Sequence, residues 1–187
     1  VRNILRNTGA SGTVNLVTNS GAITTTLNMN NNMIGDATAG AITWSVANSG
    51  TLTGVGNSGA SATCNLTMTG NDFRGIVHTV TGSSAHTYVS STGATLSQTI
   101  SNNTFTNLNV NTTGSVTFIR NDLALPAGGF VVANNNSIVT AFNKAGAGGT
   151  VHCYLTSGGP SSVVGTTKTL QNNNFSNITV TGATTLN

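Results

Sequence analysis

Apolar and polar residues alternate in short runs along the whole chain, and turns rich in Asn, Gly, Ser and Thr separate the runs. Residues 100–119 show the unit. A β-prone run ends in Asn102-Asn103, Phe105 follows, an alternating run leads to Thr113-Gly114, and Val116-Thr-Phe-Ile119 completes it. Period-two alternation puts successive side chains on opposite faces of a strand. No stretch carries the i, i+3, i+4, i+7 pattern of an amphipathic helix. The pattern predicts an all-β chain.

The unit recurs. Asparagine-rich turns fall at Asn30-Asn31-Asn32, Gly70-Asn71-Asp72, Asn102-Asn103-Thr104, Asn134-Asn135-Asn136 and Asn172-Asn173-Asn174. Met33, Phe73, Phe105, Ser137 and Phe175 follow them, 40, 32, 32 and 38 positions apart, and Leu5 is a weaker match 28 positions before Met33. Two places further stand Asn7, Gly35, Gly75, Asn107 and Asn177, residues that tolerate left-handed backbone. The runs Val14-Asn-Leu-Val, Ile42-Thr-Trp-Ser, His86-Thr-Tyr-Val, Val116-Thr-Phe-Ile and Val151-His-Cys-Tyr align as one strand position. Leu16, Trp44, Tyr88, Phe118 and Cys153 then form an inward column, and Asn15, Thr43, Thr87, Thr117 and His152 an outward one. Before the asparagine turns, Met68, Ile100, Val132 and Leu170 read as inward and Thr67, Thr99, Val131 and Thr169 as outward. Leu27 and Met29 reach the first turn in a shifted phase. Length variation falls at residues 51–60, 121–129, 143–149 and 156–165, read as loops outside the coil.

A repeat of about 28 to 40 residues with three short strands and three turns is one rung of a solenoid. Stacked rungs place like residues over like, so the asparagines are expected to hydrogen-bond as a ladder near Asn31, Asn71, Asn103, Asn135 and Asn173. Ile100-Ser-Asn-Asn-Thr-Phe-Thr-Asn and Leu170-Gln-Asn-Asn-Asn-Phe-Ser-Asn resemble the I-x-N-N-x-F-x-N coil of the pectate-lyase superfamily. The fold that follows is a right-handed parallel β-helix solenoid of five to six rungs, one domain over residues 1–187. The texture of residues 174–182 also resembles repeat regions of very large secreted surface proteins of the Bacteroidota.

Composition narrows the function classes. Gly, Asn, Thr and Ser make up more than half of the 187 residues, yet 37% hydrophobic residues at regular spacing argue for a packed core rather than disorder. Six Lys or Arg stand against three acids, and Arg2, Arg6, Arg74, Arg120, Lys144 and Lys168 never cluster. A nucleic-acid surface is therefore not expected, and no apolar run approaches the ~20 residues of a membrane helix.

The superfamily resemblance implies polysaccharide cleavage or binding. Glycoside hydrolysis needs paired carboxylates, and the lyases of this coil type use acids with calcium and a basic residue. Only Asp36, Asp72 and Asp122 are present, in different columns, and turn formation accounts for them. His78, His86 and His152 share no ligand spacing and there is no Cys-x-x-Cys, so neither metal nor cofactor is expected. Cys64 and Cys153 lie about two and a half rungs apart, roughly 12 Å at ~4.8 Å per rung, too far to bridge. Ice binding would need two outward threonines per strand, and the position two beyond Thr43, Thr87 and Thr117 reads Ser45, Val89 and Ile119.

What remains is a non-catalytic structural or adhesive segment, a fibre, stalk, adhesin or filament building block, extracellular at the cell surface. A carbohydrate-binding β-helix is the alternative, ahead of ice binding or a polysaccharide lyase. Neither end of the sequence reads as a polar cap, so the expected partners are copies of the chain or neighbouring repeats stacked end to end, with surface glycans as further candidates.

Overall fold

Each turn of the chain spends its alternating runs on four strands. The computed structural model describes residues 4–6, 10–156 and 163–187. The first turn holds β1 (Ile4–Arg6), β2 (Val14–Asn19), β3 (Thr26–Asn28) and β4 (Met33–Gly35); the second holds β5 (Ile42–Trp44), β6 (Leu52–Asn57), β7 (Asn65–Thr67) and β8 (Asp72–Arg74). The third holds β9 (Ile76–His78), β10 (His86–Ser91), β11 (Ser97–Thr99) and β12 (Thr104–Thr106). The fourth holds β13 (Asn109–Val110), β14 (Val116–Asn121), β15 (Phe130–Asn134) and β16 (Ser137–Ile138). Then come β17 (Phe142–Lys144), β18 (Thr150–Leu155) and β19 (Thr167–Gln171), and β20 (Ile178–Val180) and β21 (Thr185–Leu186) continue the coil.

Through β19 every fourth strand pairs in parallel, and β20 and β21 pair with β17 and β18, three strands back. The first sheet runs β1-β5-β9-β13-β17-β20, the second β2-β6-β10-β14-β18-β21, the third β3-β7-β11-β15-β19 and the fourth β4-β8-β12-β16. The result is an all-β parallel solenoid of about five turns, with four faces where the sequence suggested three strands per rung.

The missed strand explains the largest register error. Ile42-Thr43-Trp44 pairs with Ile76-Val77-His78 in the first sheet, and the true neighbour of Val14 and His86 in the second sheet is Leu52. Residues 52–57 are thus a strand and not an outer loop. The inward column reads Leu16, Gly54, Tyr88, Phe118, Cys153, with a glycine where an aromatic was expected. The reason is steric: a Cβ on Gly54 would lie 2.4 Å from both the Phe73 ring and the Tyr88 carbonyl oxygen. The ring of Phe73 fills the space that a side chain would need. Leu5 pairs with Thr43 in the first sheet, so it does not share the phenylalanine position; Asn7 lies outside the described residues.

A one-residue slip affects the first and fourth turns. Ile34, Phe73, Phe105 and Ile138 share a column, so Met33 points out at 47% exposure while Ile34 is fully buried. Val132 pairs with Thr99 and Thr169 on the outside, and Val131 and Ala133 are buried. With that frame Leu27 pairs with Leu66, and the apparent phase shift at the first turn disappears.

The main core is a continuous column of apolar side chains, and Leu123, Leu125 and Val131 form a small second cluster. Phe73 and Phe105 stack at 5.3 Å, and Phe118 meets Tyr88, Phe105, Phe142 and Phe175 at 4.9–5.7 Å. Phe118 is fully buried, and its outward neighbour Thr117 is itself only 5% exposed.

The corner between the third and fourth sheets carries the asparagine ladder: Asn32, Asn71, Asn103, Asn136 and Asn173. Each Nδ2 donates to the Oδ1 of the next at 2.8, 3.0, 2.8 and 2.8 Å. The residues just before them, Asn31, Gly70, Asn102, Asn135 and Asn172, hold φ of 55° to 64°. Asn31 and Asn135, expected as ladder members, therefore make the left-handed step that aims the next side chain inward. Asparagine and glycine are the residues that take this step at least cost.

Candidate functional site

The chemistry-bearing residues separate into a buried set and a surface set. The acids are in the surface set. Asp72 pairs with Arg74 across two residues of β8, Asp36 accepts the Thr38 N–H at 3.1 Å in a turn, and Arg120 Nη2 donates to Asp122 Oδ2 at 2.9 Å. Asp72 and Asp36 approach the same cation, Arg74, without sharing a column. Cys64 and Cys153 are free, and burial raises both thiols above their usual range. His152 is half-buried at an outward position of β18.

The buried set centres on His78 and His86, whose Nε2 atoms lie 2.9 Å apart. One ring donates and the other accepts, so this bond holds only while at least one imidazole is neutral. Trp44 packs on both rings, at 4.6 and 5.3 Å between centroids. Burial holds the His78 imidazole down to about 4, against a weaker opposing hydrogen bond to the Asn111 backbone. His86 is lowered well below the ordinary range, first by complete burial and then by the charge of His78. Spacing along the chain did not join these two histidines, because they lie on different sheets of one turn. Their inward parity, shared with Ile76 and Tyr88, was the available signal.

Lys144 is a second buried group. It stands opposite Val110 in the first sheet and is fully buried. Its Nζ donates to the carbonyl oxygens of Thr112, Gly146 and Gly148 at 2.6–2.7 Å. The ammonium gathers three carbonyls of a tight corner, and burial lowers its pKa. Its task in this geometry is to satisfy backbone acceptors that the turn leaves inside.

On the surface, the outer face of the second sheet bears a groove of about 340 Å³. Asn15, Thr18, Thr53, Gly56, Ser90 and Arg120 are among the residues lining it, contributed by β2, β6, β10 and β14, so the groove runs along the solenoid axis. Gly56 deepens the groove by lacking a side chain between Thr18 and Ser90, its partners in register. In β10 both Tyr88 and Val89 turn inward and are fully buried, which leaves Ser90 as the next outward residue. The second outward column is therefore Thr18, Gly56, Ser90 and Arg120, rather than Ser45, Val89 and Ile119. It is a mixed polar surface, not a paired threonine array.

Among the described residues no three His, Cys, Asp or Glu side chains come together as a metal-binding group. No protein-family model, curated protein or solved structure matches the chain. The class defined by fold and surface is a parallel β-solenoid with an internal asparagine ladder.

Proposed function

We propose that the chain is a structural or adhesive segment of an extracellular fibre, stalk or filament at the cell surface, working without catalysis. The observation that carries this reading is the self-stacking of the rungs: each rung hands the next the same inward amide and apolar column, with four amide bonds of 2.8–3.0 Å in line along one axis. Such a coil lengthens rung by rung without new chemistry, within one polypeptide or between copies. The likeness to pectate-lyase-type coils and to repeats of large Bacteroidota surface proteins supports the same reading. Electron microscopy and sedimentation of material from its source test it. Filaments, or a parent chain many times longer, are expected; discrete particles of 18.8 kDa overturn it.

A second reading, carbohydrate binding, is favoured by the polar groove on the second sheet. Its hydroxyls, the Asn15 amide and the Arg120 guanidinium, which Asp122 holds, suit the hydroxyls of a neutral glycan running along the axis. A glycan array read against Arg120→Ala tests it: a ligand lost in the variant supports the reading, and a blank array removes it.

A further inference from the structure

A second asparagine ladder begins at the corner between the second and third sheets, and it breaks. Asn19 Nδ2 donates to Asn57 Oδ1 at 2.9 Å, as in the complete ladder. The next two residues in register are Ser91 and Asn121. A serine hydroxyl is one bond from Cβ and cannot span the ~4.8 Å between rungs as a carboxamide does. The break orphans the atoms on either side of it: Asn57 Nδ2 and Asn121 Oδ1 have no partner, nor does Ser91 Oγ. Gln98, which receives Asn121 Nδ2 on its Oε1, has an unpaired Nε2, and Thr95 Oγ1 on the connection between Ser91 and Gln98 is also unpaired. All five side chains are at most 1% exposed.

We propose that this corner binds a short column of internal water molecules, held by Asn57, Ser91, Thr95, Gln98 and Asn121. Buried polar groups are almost always paired, and each one left bare costs about 1–3 kcal/mol. A ligand here must accept from the two amide NH₂ groups, donate to Asn121 Oδ1, and do either with the two hydroxyls. Water does both. An anion would face Asn121 Oδ1 and a cation would face the two amides, and no charged side chain is among the five. Two waters in series take the place of the missing carboxamide, the first accepting from Asn57 Nδ2 and the second donating to Asn121 Oδ1, because these atoms lie two rungs apart.

Substituting Ser91→Asn tests this, because it supplies the missing rung of the ladder. In a high-resolution crystal structure of the unaltered protein, at least one ordered water is expected within hydrogen-bond distance of two or more of these side chains. In Ser91→Asn that water is displaced, and the amide bridges Asn57 and Asn121. In solution, water ¹⁷O relaxation dispersion should count at least one fewer long-lived internal water in the variant. Anomalous scattering from an ion at the site, or a dry corner in which the five side chains pair with one another, overturns the proposal. The unaltered protein alone decides this should the variant fail to fold.

Discussion

Replacing Asn103 with alanine removes the middle rung of the complete ladder. Its Oδ1 accepts the backbone N–H and the Nδ2 of Asn71, each at 3.0 Å. Its Nδ2 donates to the Met68 carbonyl at 3.0 Å and to Asn136 Oδ1 at 2.8 Å. The carboxamide thus uses all four of its hydrogen-bonding positions in a site with no exposure. At a net ~1 kcal/mol per bond, with buried groups of Asn71, Met68 and Asn136 each losing a partner, the loss is about 4–5 kcal/mol. That is a large share of the ~5–15 kcal/mol typical of a domain. Asn173→Ala is the control: it breaks three bonds of the same kind at a half-buried rung where water replaces them, so about 1 kcal/mol is expected. Urea unfolding followed by the fluorescence of the single tryptophan, Trp44, measures both. Slopes must be compared along with midpoints, because a solenoid need not unfold in two states. A cost for Asn103→Ala below ~1 kcal/mol, or no larger than that for Asn173→Ala, would refute the ladder as a source of stability.

The histidine pair makes stability depend on pH. Both imidazoles titrate lower in the folded protein than the ordinary 6.5, so the unfolded chain binds more protons and stability falls as pH drops below about 6.5; His78 alone, at about 4, accounts for about 3 kcal/mol by that pH. Equal urea midpoints at pH 7.5 and 4.5 would contradict this. Gly54→Val drives a side chain into the Phe73 ring and the Tyr88 carbonyl; a loss of about 3 kcal/mol or more is expected, and a thermal melt unchanged by it would put the register of the second sheet in doubt. Lys144→Met keeps an unbranched side chain, one atom shorter, and abandons three carbonyls. It should cost several kcal/mol, about 1–3 per acceptor left dry, and a neutral result by calorimetry would mean those carbonyls reach solvent.

Local pattern carried much of the architecture. Alternation marked the strands, and the recurring Asn-Asn-x-Phe motif marked the turns, because left-handed backbone and inward amides demand those residues at those places. Repetition with a drifting period carried the solenoid, since only stacking puts positions 32 to 39 residues apart in contact. Register was harder to read. Asn134-Asn135-Asn136 offers three identical side chains, and only the inward position of Asn136, set by the stacked rungs, separates the ladder member from its left-handed neighbour. Gly54 concealed a strand because its signal is an absence, intelligible only once Phe73 from the fourth sheet occupies the space. The His78–His86 contact, the burial of Lys144 and the break at Ser91 were decided by tertiary structure alone. Each joins residues from different sheets or turns, and which sheets face one another across the interior is set by how the coil closes, not by any run of neighbouring residues.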